Sequence, residues 1–414
     1  MPGPPLTPPS ITYRSHTLTH PFLFLCIAGL SCFFSYNLVR MPVLSMFAES
    51  LGATPEAIGM VVAASTMTGV FLKLPMGVLS DIIGRKRLLI VGAIAFGVTP
   101  FAYLLIKDLQ ILLILRLCHG LATAVFAPIA LATVASMFTE KRGTGMGWYT
   151  ASTQAGALLG PLAGGFFLDH AEFSDAFAVA GAIGLLGLFL VLQVHIADSE
   201  TSPTSRAEPR DIKNTMNVML TSVQSVIRNR QVLAASVAGM SKMFSTGVLM
   251  AFLPLYGFSI GLSGTQIGFL FGIQSAISLA SKPLLGRISD TIGRQPLILL
   301  GLALCAFAMS GIPFNSEFDR LLVLAGIFGF GDAAVMTVSS ALVGDSTQPQ
   351  FVGSGMGVYG TLSDIGHASG PIMGGILISS AGYPAAFHTA AGIMVVAIAY
   401  VAITMTRQVP ATKS

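Results

Sequence analysis

Charge is scarce in this sequence. Asp, Glu, Lys and Arg make up 10% of its 414 residues, against about 25% in an ordinary soluble domain. That excludes a water-facing surface over most of the chain. Cysteine is also sparse, and Cys26, Cys32, Cys118 and Cys305 all fall inside apolar runs. No disulfide framework is implied, and buried thiols acting as small hydrophobes are expected. No cluster has metal-ligand spacing, and no nucleophile elbow or phosphate-binding loop stands at an accessible surface. Neither a metal nor a cofactor is therefore expected, and the chain does not read as an enzyme. The net charge of +4 and pI near 8.9 reflect basic residues in short links; no nucleic-acid surface is implied.

Apolar residues are abundant. They form 53% of the sequence, and mean hydropathy is +0.77. A membrane-crossing helix needs roughly 20 predominantly apolar residues. Twelve such spans fit, at about 21–46, 57–79, 88–106, 111–137, 145–168, 174–196, 231–257, 264–285, 296–314, 320–343, 355–380 and 384–406. The first run lacks a short apolar region with a small-residue cleavage site, so it reads as a retained span. Basic residues alternate between link sets. One set carries Arg85, Lys86, Arg87, Lys141, Arg142, Arg206, Arg210, Lys213, Arg287 and Arg294. The other carries Glu49, Glu56, Asp108, Asp169, Glu172, Asp175, Glu317 and Asp319, with Lys107 and Arg320 its only basic members. The positive-inside rule makes the first set cytoplasmic, with both termini on that side of the cell membrane.

The expected organisation is a cytoplasmic tail at 1–20, six spans in 21–197, a cytoplasmic link at 198–230, six more spans in 231–406 and a short tail at 407–414. Within the link, Ile212, Met216, Met219, Leu220, Val223 and Ile227 recur at helical spacing. That pattern suits an amphipathic helix on the membrane surface, and equally a plain tether between halves.

A short motif organises these spans. Gly77, Leu79, Asp81, Gly84, Arg85 and Arg87 sit between spans 2 and 3, and Gly286, Asp290, Gly293 and Arg294 sit between spans 8 and 9. The offset is 286 − 77 = 209 for the first glycine and 290 − 81 = 209 for the acid. The same shift relates Leu51-Gly52 to Ile260-Gly261 and Lys73 to Lys282. Near that shift, Gly156, Gly160, Pro161 and Gly164 in span 5 match Gly366, Gly370, Pro371 and Gly374 in span 11. Halves repeated in one orientation imply a pseudo-two-fold axis along the membrane normal.

With these residues the chain resembles the major facilitator superfamily of secondary transporters, over essentially its whole length after the tail. The resemblance implies an all-α membrane protein with twelve transmembrane helices in two pseudo-symmetric six-helix bundles, working by alternating access as a monomer among membrane lipids. In that family the motif acid, here Asp81, faces the start of span 11 and helps hold the outward-open state. By the repeat, Asp290 should face the start of span 5 near Gly143 to Gly147; both acids could instead merely cap their own turns. Arg116 and Gly120 in span 4 resemble the Arg-x-x-x-Gly signature of many proton-coupled members, although a snorkelling arginine fits as well. The glycine–proline pattern of span 5 resembles an antiporter motif, and its recurrence in span 11 also fits a packing seam used twice.

Ionisable groups inside spans are expensive and mark function or pairing. Here they are Arg40, Lys73, His119, Lys242, Lys282, Asp332, Asp364 and His367. Asp332 and Asp364 are candidate proton carriers or fixed ion-pair members, and His119 and His367 candidate titrating or packing groups. Arg40, Lys242 and Asn37 are candidate substrate contacts. Span 1 has no acid before Glu49, which favours an anionic or neutral amphiphilic solute over a lipophilic cation. The expectation is proton-coupled efflux of a small-molecule substrate. The alternatives are proton-coupled uptake of a small organic anion, or a non-transporting sensor or assembly protein on the same fold.

Overall fold

A computed structural model describes residues 19–138, 142–194, 229–348 and 351–406, with backbone alone for 73–82 and for single residues at the segment ends. Residues 1–18 and 407–414 of the expected tails, and nearly all of the 198–230 link, lie outside the described residues. Among the described residues every regular element is helical. Span 1 runs Thr19–Leu38, breaks in a π turn at Val39–Val43 and resumes at Leu44–Ser50. Span 2 is Pro55–Ile83, span 3 Arg85–Ala102, span 4 Leu109–Met137, span 5 Arg142–His170 and span 6 Phe173–Gln193. Span 7 is Arg230–Ser259, span 8 Gly264–Ile292, span 9 Arg294–Gly311 and span 10 Phe318–Ser346.

Val352–Thr406 is 55 helical residues with one break, at Gly382 (φ 78°, ψ 176°). Unbroken, it would be about 80 Å long at 1.5 Å per residue, far more than a bilayer's ~30 Å hydrocarbon core. Instead it doubles back. Gly370, before the break, packs on the Phe244 carbonyl. Beyond it, the Ala390 carbonyl accepts from Ser245 Oγ at 3.4 Å. Two adjacent residues of span 7 thus meet both arms, which are spans 11 and 12.

Ten described stretches are long and apolar enough to cross a membrane, Val352–Met405 counting once. Span 5 is not among them; the Ser, Thr, Gln and Gly of its first half lower its hydropathy.

Helix ends follow local chemistry. Asp108 caps span 4, accepting from Gln110 N at 2.7 Å. Asn229 caps span 7 by accepting from Gln231 N at 3.0 Å. Ser263 and Gln266 form a reciprocal capping box on span 8, so orphan N–H groups are satisfied at each start. The repeat is visible in the backbone: Gly52 and Gly261 have φ of 80° and 87°, Gly84 and Gly293 of 96° and 92°. Each pair is 209 apart, and each sits in a left-handed turn that an L side chain would strain.

Candidate functional site

Two ends of the molecule are distinguished by their residues. The basic end carries Arg85, Lys86, Arg87 and Arg294; the acidic end carries Glu49, Glu56, Asp169 and Glu172. The halves meet at the acidic end. Span 2 packs on span 11, where Gly59 abuts the Pro371 carbonyl and Gly375 the Pro55 carbonyl. Span 5 packs on span 8, where a Cβ on Gly268 would lie 2.6 Å from the Pro161 carbonyl. Small residues let these backbones touch. At the basic end, a Cβ on Gly143, Gly147, Gly353 or Gly357 would meet nothing within 4 Å. Among the described residues, the halves touch at the acidic end and stand apart at these glycines of the basic end.

The acidic-end closure is also polar. Asp169, one residue beyond the expected span 5, accepts from Gly264 N at 2.6 Å and Thr265 N at 2.7 Å, the first two residues of span 8. Burial opposes its charge, but hydrogen bonds from Thr265, Gly264 and Ser263 outweigh that and hold its carboxyl below the ordinary range. The counterpart joins span 2 to span 11, where Glu56 is hydrogen-bonded by Ser379.

Behind this seal lies the break in span 1. Met41 is extended (φ −141°, ψ 124°) and Pro42 lacks an N–H, so the helical ladder is interrupted there. Arg40 sits in the break and reaches across the halves. Its Nη2 donates to Thr66 Oγ1 at 3.1 Å and meets His367 Nε2 at 2.7 Å. Its guanidinium stands over the Tyr36 ring, 5.5 Å from the centroid. Asp364, one turn before His367, acts electrostatically on Arg40. Asn37, one turn earlier on span 1, is buried and donates to the Phe33 carbonyl at 2.8 Å.

Arg116 is fully buried within the first half; the snorkelling alternative does not hold. Its guanidinium donates to Ser65 Oγ at 2.5 Å, Tyr103 Oη at 3.3 Å and the Val61 carbonyl at 3.4 Å. His119 joins the cluster through Tyr103 Oη at 3.1 Å and stacks edge-on against Tyr36. Gly120 lets span 4 touch span 2 at the Ser65 backbone, where a Cβ would sit 2.5 Å from its carbonyl oxygen.

The second half is built differently. Lys242 is 3% exposed and forms an ion pair with Asp332. Ser278 Oγ donates to the other Asp332 oxygen at 2.5 Å. Lys242 was expected as a substrate contact and Asp332 as a proton carrier or a fixed ion-pair member; in this conformation the two are paired with each other.

The motif hairpins differ in what is described. Gly77 and Asp81 lie on span 2 where backbone alone is described, and the Asp81 contact to span 11 lies outside the described side chains. Arg85 and Arg87 open span 3 after the Gly84 turn. In the second copy, Asp290 pairs with Arg294 at 2.7 Å, and Arg294 also holds Asp345 at 2.9 Å. Ser289, three residues after Gly286, bonds to the Gly286 carbonyl at 2.6 Å and to Arg294. Asp290 is thus engaged on its own hairpin, and among the described residues the expected contact with span 5 is not made. The repeated seam is heavily used: Gly156 packs on the Leu30 carbonyl, Gly160 on Asn37, Gly164 on the Met41 carbonyl, Gly366 on the Met240 carbonyl, and Gly374 on Phe252.

Sequence reasoning did not single out Asp169, Thr66, Tyr36, Ser65 or Ser278. The signal for Asp169 was present: it stands five residues after Gly164 of the span 5 seam. The others are ordinary polar residues until folding places them beside a charge.

Comparisons with known proteins agree with this architecture. The chain is 27% identical over 384 residues to the multidrug resistance protein MdtG of Salmonella arizonae, covering 89% of this chain and 92% of that one. It is 24% identical over 337 residues to an uncharacterized MFS-type transporter of Methanocaldococcus jannaschii, covering 81% and 86%. Among solved structures, the nucleoside transporter NupG superposes with a TM-score of 0.79 at 12% identity, covering 94% of this chain and all of that one. A bacterial homologue of the human lysosomal transporter Spinster, inward-facing and unoccupied, gives 0.75 at 13% identity, covering 95% and 96%. The family model of the Major Facilitator Superfamily matches residues 25–264 and 235–414, and the chain belongs to that family of multi-pass membrane transporters.

Proposed function

We propose that this chain is a proton-coupled secondary transporter that exports a small organic or amphiphilic solute by alternating access. The observation that carries this is the asymmetry of the halves, sealed at the acidic end and parted at the basic end, around an arginine that crosses between them. A rocking carrier needs such a seam at each end of its pathway. In this reading the basic end is cytoplasmic, twelve helices cross the cell membrane, and the protein works as a monomer. Export is supported by the name borne by its relatives in Salmonella. Arg40, in a span 1 without an intramembrane acid, favours one second reading, uptake of a small organic anion with protons.

Purified protein in liposomes, given organic anions and lipophilic cations under an imposed pH gradient, tests this. Solute moving against the proton flow supports export, and solute moving with it supports the second reading. Solute movement unaffected by the gradient removes proton coupling. No movement of any solute leaves a sensor or assembly role on the same fold.

A further inference from the structure

We propose that His367 is a proton-binding residue of the transport cycle, and that its neutral form holds the acidic end shut by accepting a hydrogen bond from Arg40.

The chemistry of the pair carries this. An arginine side chain has donors only and keeps its proton throughout the physiological range. With Arg40 Nη2 at 2.7 Å from His367 Nε2, the imidazole nitrogen must present a lone pair. The imidazole is therefore neutral in this conformation, with its proton on Nδ1. Protonation fills that lone pair and sets two cations face to face. The contact spans the halves, from the break in span 1 to span 11, beside the Gly59–Pro371 closure. Losing it weakens the acidic-end seal and favours the opposite state.

The surroundings leave His367 as the responsive member. On its own helix Asp364 lies one turn away, and its charge acts on Arg40. Once His367 is protonated, that one carboxylate faces two cations and offsets only one. Span 2 offers Thr66, which does not titrate and is bonded to Arg40. Span 7 meets this stretch of span 11 through Met240, Phe244 and Gly247. Of its two charges, Arg230 stands at its first residue and Lys242 is turned to Asp332 of span 10. The other buried histidine among the described residues, His119, bonds to Tyr103 within the first half; it and Arg116 act on Arg40 through charge alone, and only His367 accepts from Arg40 across the seam.

This inference rests on the proton coupling proposed above, but its test needs no transported solute. Ser50 and Ser259 are exposed, end spans 1 and 7, and are repeat partners 209 apart. Spin labels at Ser50→Cys and Ser259→Cys, in a chain without the four native cysteines, report the acidic-end separation in liposomes. An unperturbed histidine titrates near pH 6.5. Taking the wild type from pH 8 to pH 5 should raise the ratio of long to short separations at least threefold. His367→Gln keeps a pH-independent acceptor and should stay short at both values. His367→Arg can only donate and keeps its charge, so it should stay long at both. Asp364→Asn removes a stabilising negative charge and should move the midpoint to lower pH. A wild-type ratio unchanged between pH 8 and pH 5, or a Gln variant that titrates like the wild type, overturns the proposal. A protein that titrates in distance but moves no solute leaves the switch standing and removes the transport function instead.

Discussion

The Asp169 carboxylate and the backbone N–H of Gly264 lie 2.6 Å apart across the two halves of the molecule. One carboxylate oxygen takes Gly264 N and the other takes Thr265 N. Both donors are orphan groups of the span 8 N-terminus, where partial positive charge favours an anion. Asp169 is largely exposed, so a value of about 0.3–1 kcal/mol is appropriate. Asp169→Ala should therefore shift the equilibrium away from acidic-end closure by about two- to fivefold. Spin-label distances between the ends of spans 5 and 8 measure this, and an unchanged distribution would show that the glycine seam alone closes that end.

The same contact has a defined pH dependence. Its carboxyl is held below the ordinary carboxylate range. A depressed acid contributes stability above its unperturbed pKa of about 3.9 and loses it as pH falls through the lowered value. Between pH 5 and pH 8 the Asp169 contact should not change. Comparing wild type with Asp169→Ala at both pH values checks this: the difference between them should be the same at each.

The glycine seam makes a steric prediction. A Cβ on Gly268 would stand 2.6 Å from the Pro161 carbonyl, a backbone atom that cannot swing aside. Gly268→Leu should remain folded, because a Leu side chain on this helix can be accommodated once the halves separate. It should accumulate with the acidic end open, and cysteine probes near Asp169 should label faster than in the wild type. Labelling at the wild-type rate would show that spans 5 and 8 yield locally.

Much of this fold was legible because its signals are periodic. The 209-residue offset read from Gly77 and Gly286 reappears in the φ angles of Gly84 and Gly293. Low charge and long apolar runs located the helices. The pairing of charges was less legible. Lys242 and Asp332 are 90 residues apart, and nothing in the intervening sequence states that spans 7 and 10 bring them together. Arg40 read as a candidate substrate contact, and its partners Thr66 and His367 were not legible because they lie on two other spans. Asp290 was open to two readings, the start of span 5 or its own turn, and its pairing with Arg294 four residues on follows the second.

The Lys242–Asp332 pair sets a stability prediction. Removing one partner leaves a charge buried without compensation, which costs roughly 3–5 kcal/mol. Lys242→Met and Asp332→Leu should each lower the thermal midpoint in detergent. The double variant should recover most of that loss, because an apolar pair of similar volume has no charge to desolvate. Additive losses in the double variant would mean that the two side chains act independently.

Arg116 provides the sharpest contrast between shape and charge. It is fully buried, and its hydrogen-bond partners Ser65, Tyr103 and the Val61 carbonyl are all neutral. Three acceptors in different directions suit a planar fork of donors. A lysine carries the same charge on one atom and cannot reach all three. Arg116→Lys should therefore lose on the order of 3 kcal/mol at neutral pH, from unmet acceptors and a poorly solvated ammonium. Arg116→Met should lose less, because no charge remains to be buried and the Tyr103 hydroxyl keeps His119 as a partner. The Lys variant should also carry a pH response that arginine at this position does not add. A buried ammonium titrates below its unfolded value, so over that window the unfolded chain binds more protons. Its stability then rises with pH, whereas arginine keeps its proton throughout. Thermal midpoints at pH 7 and pH 10, with Met as reference, measure both effects. A Lys variant as stable as the wild type at pH 7 would show that charge alone, and not the guanidinium fork, holds this cluster.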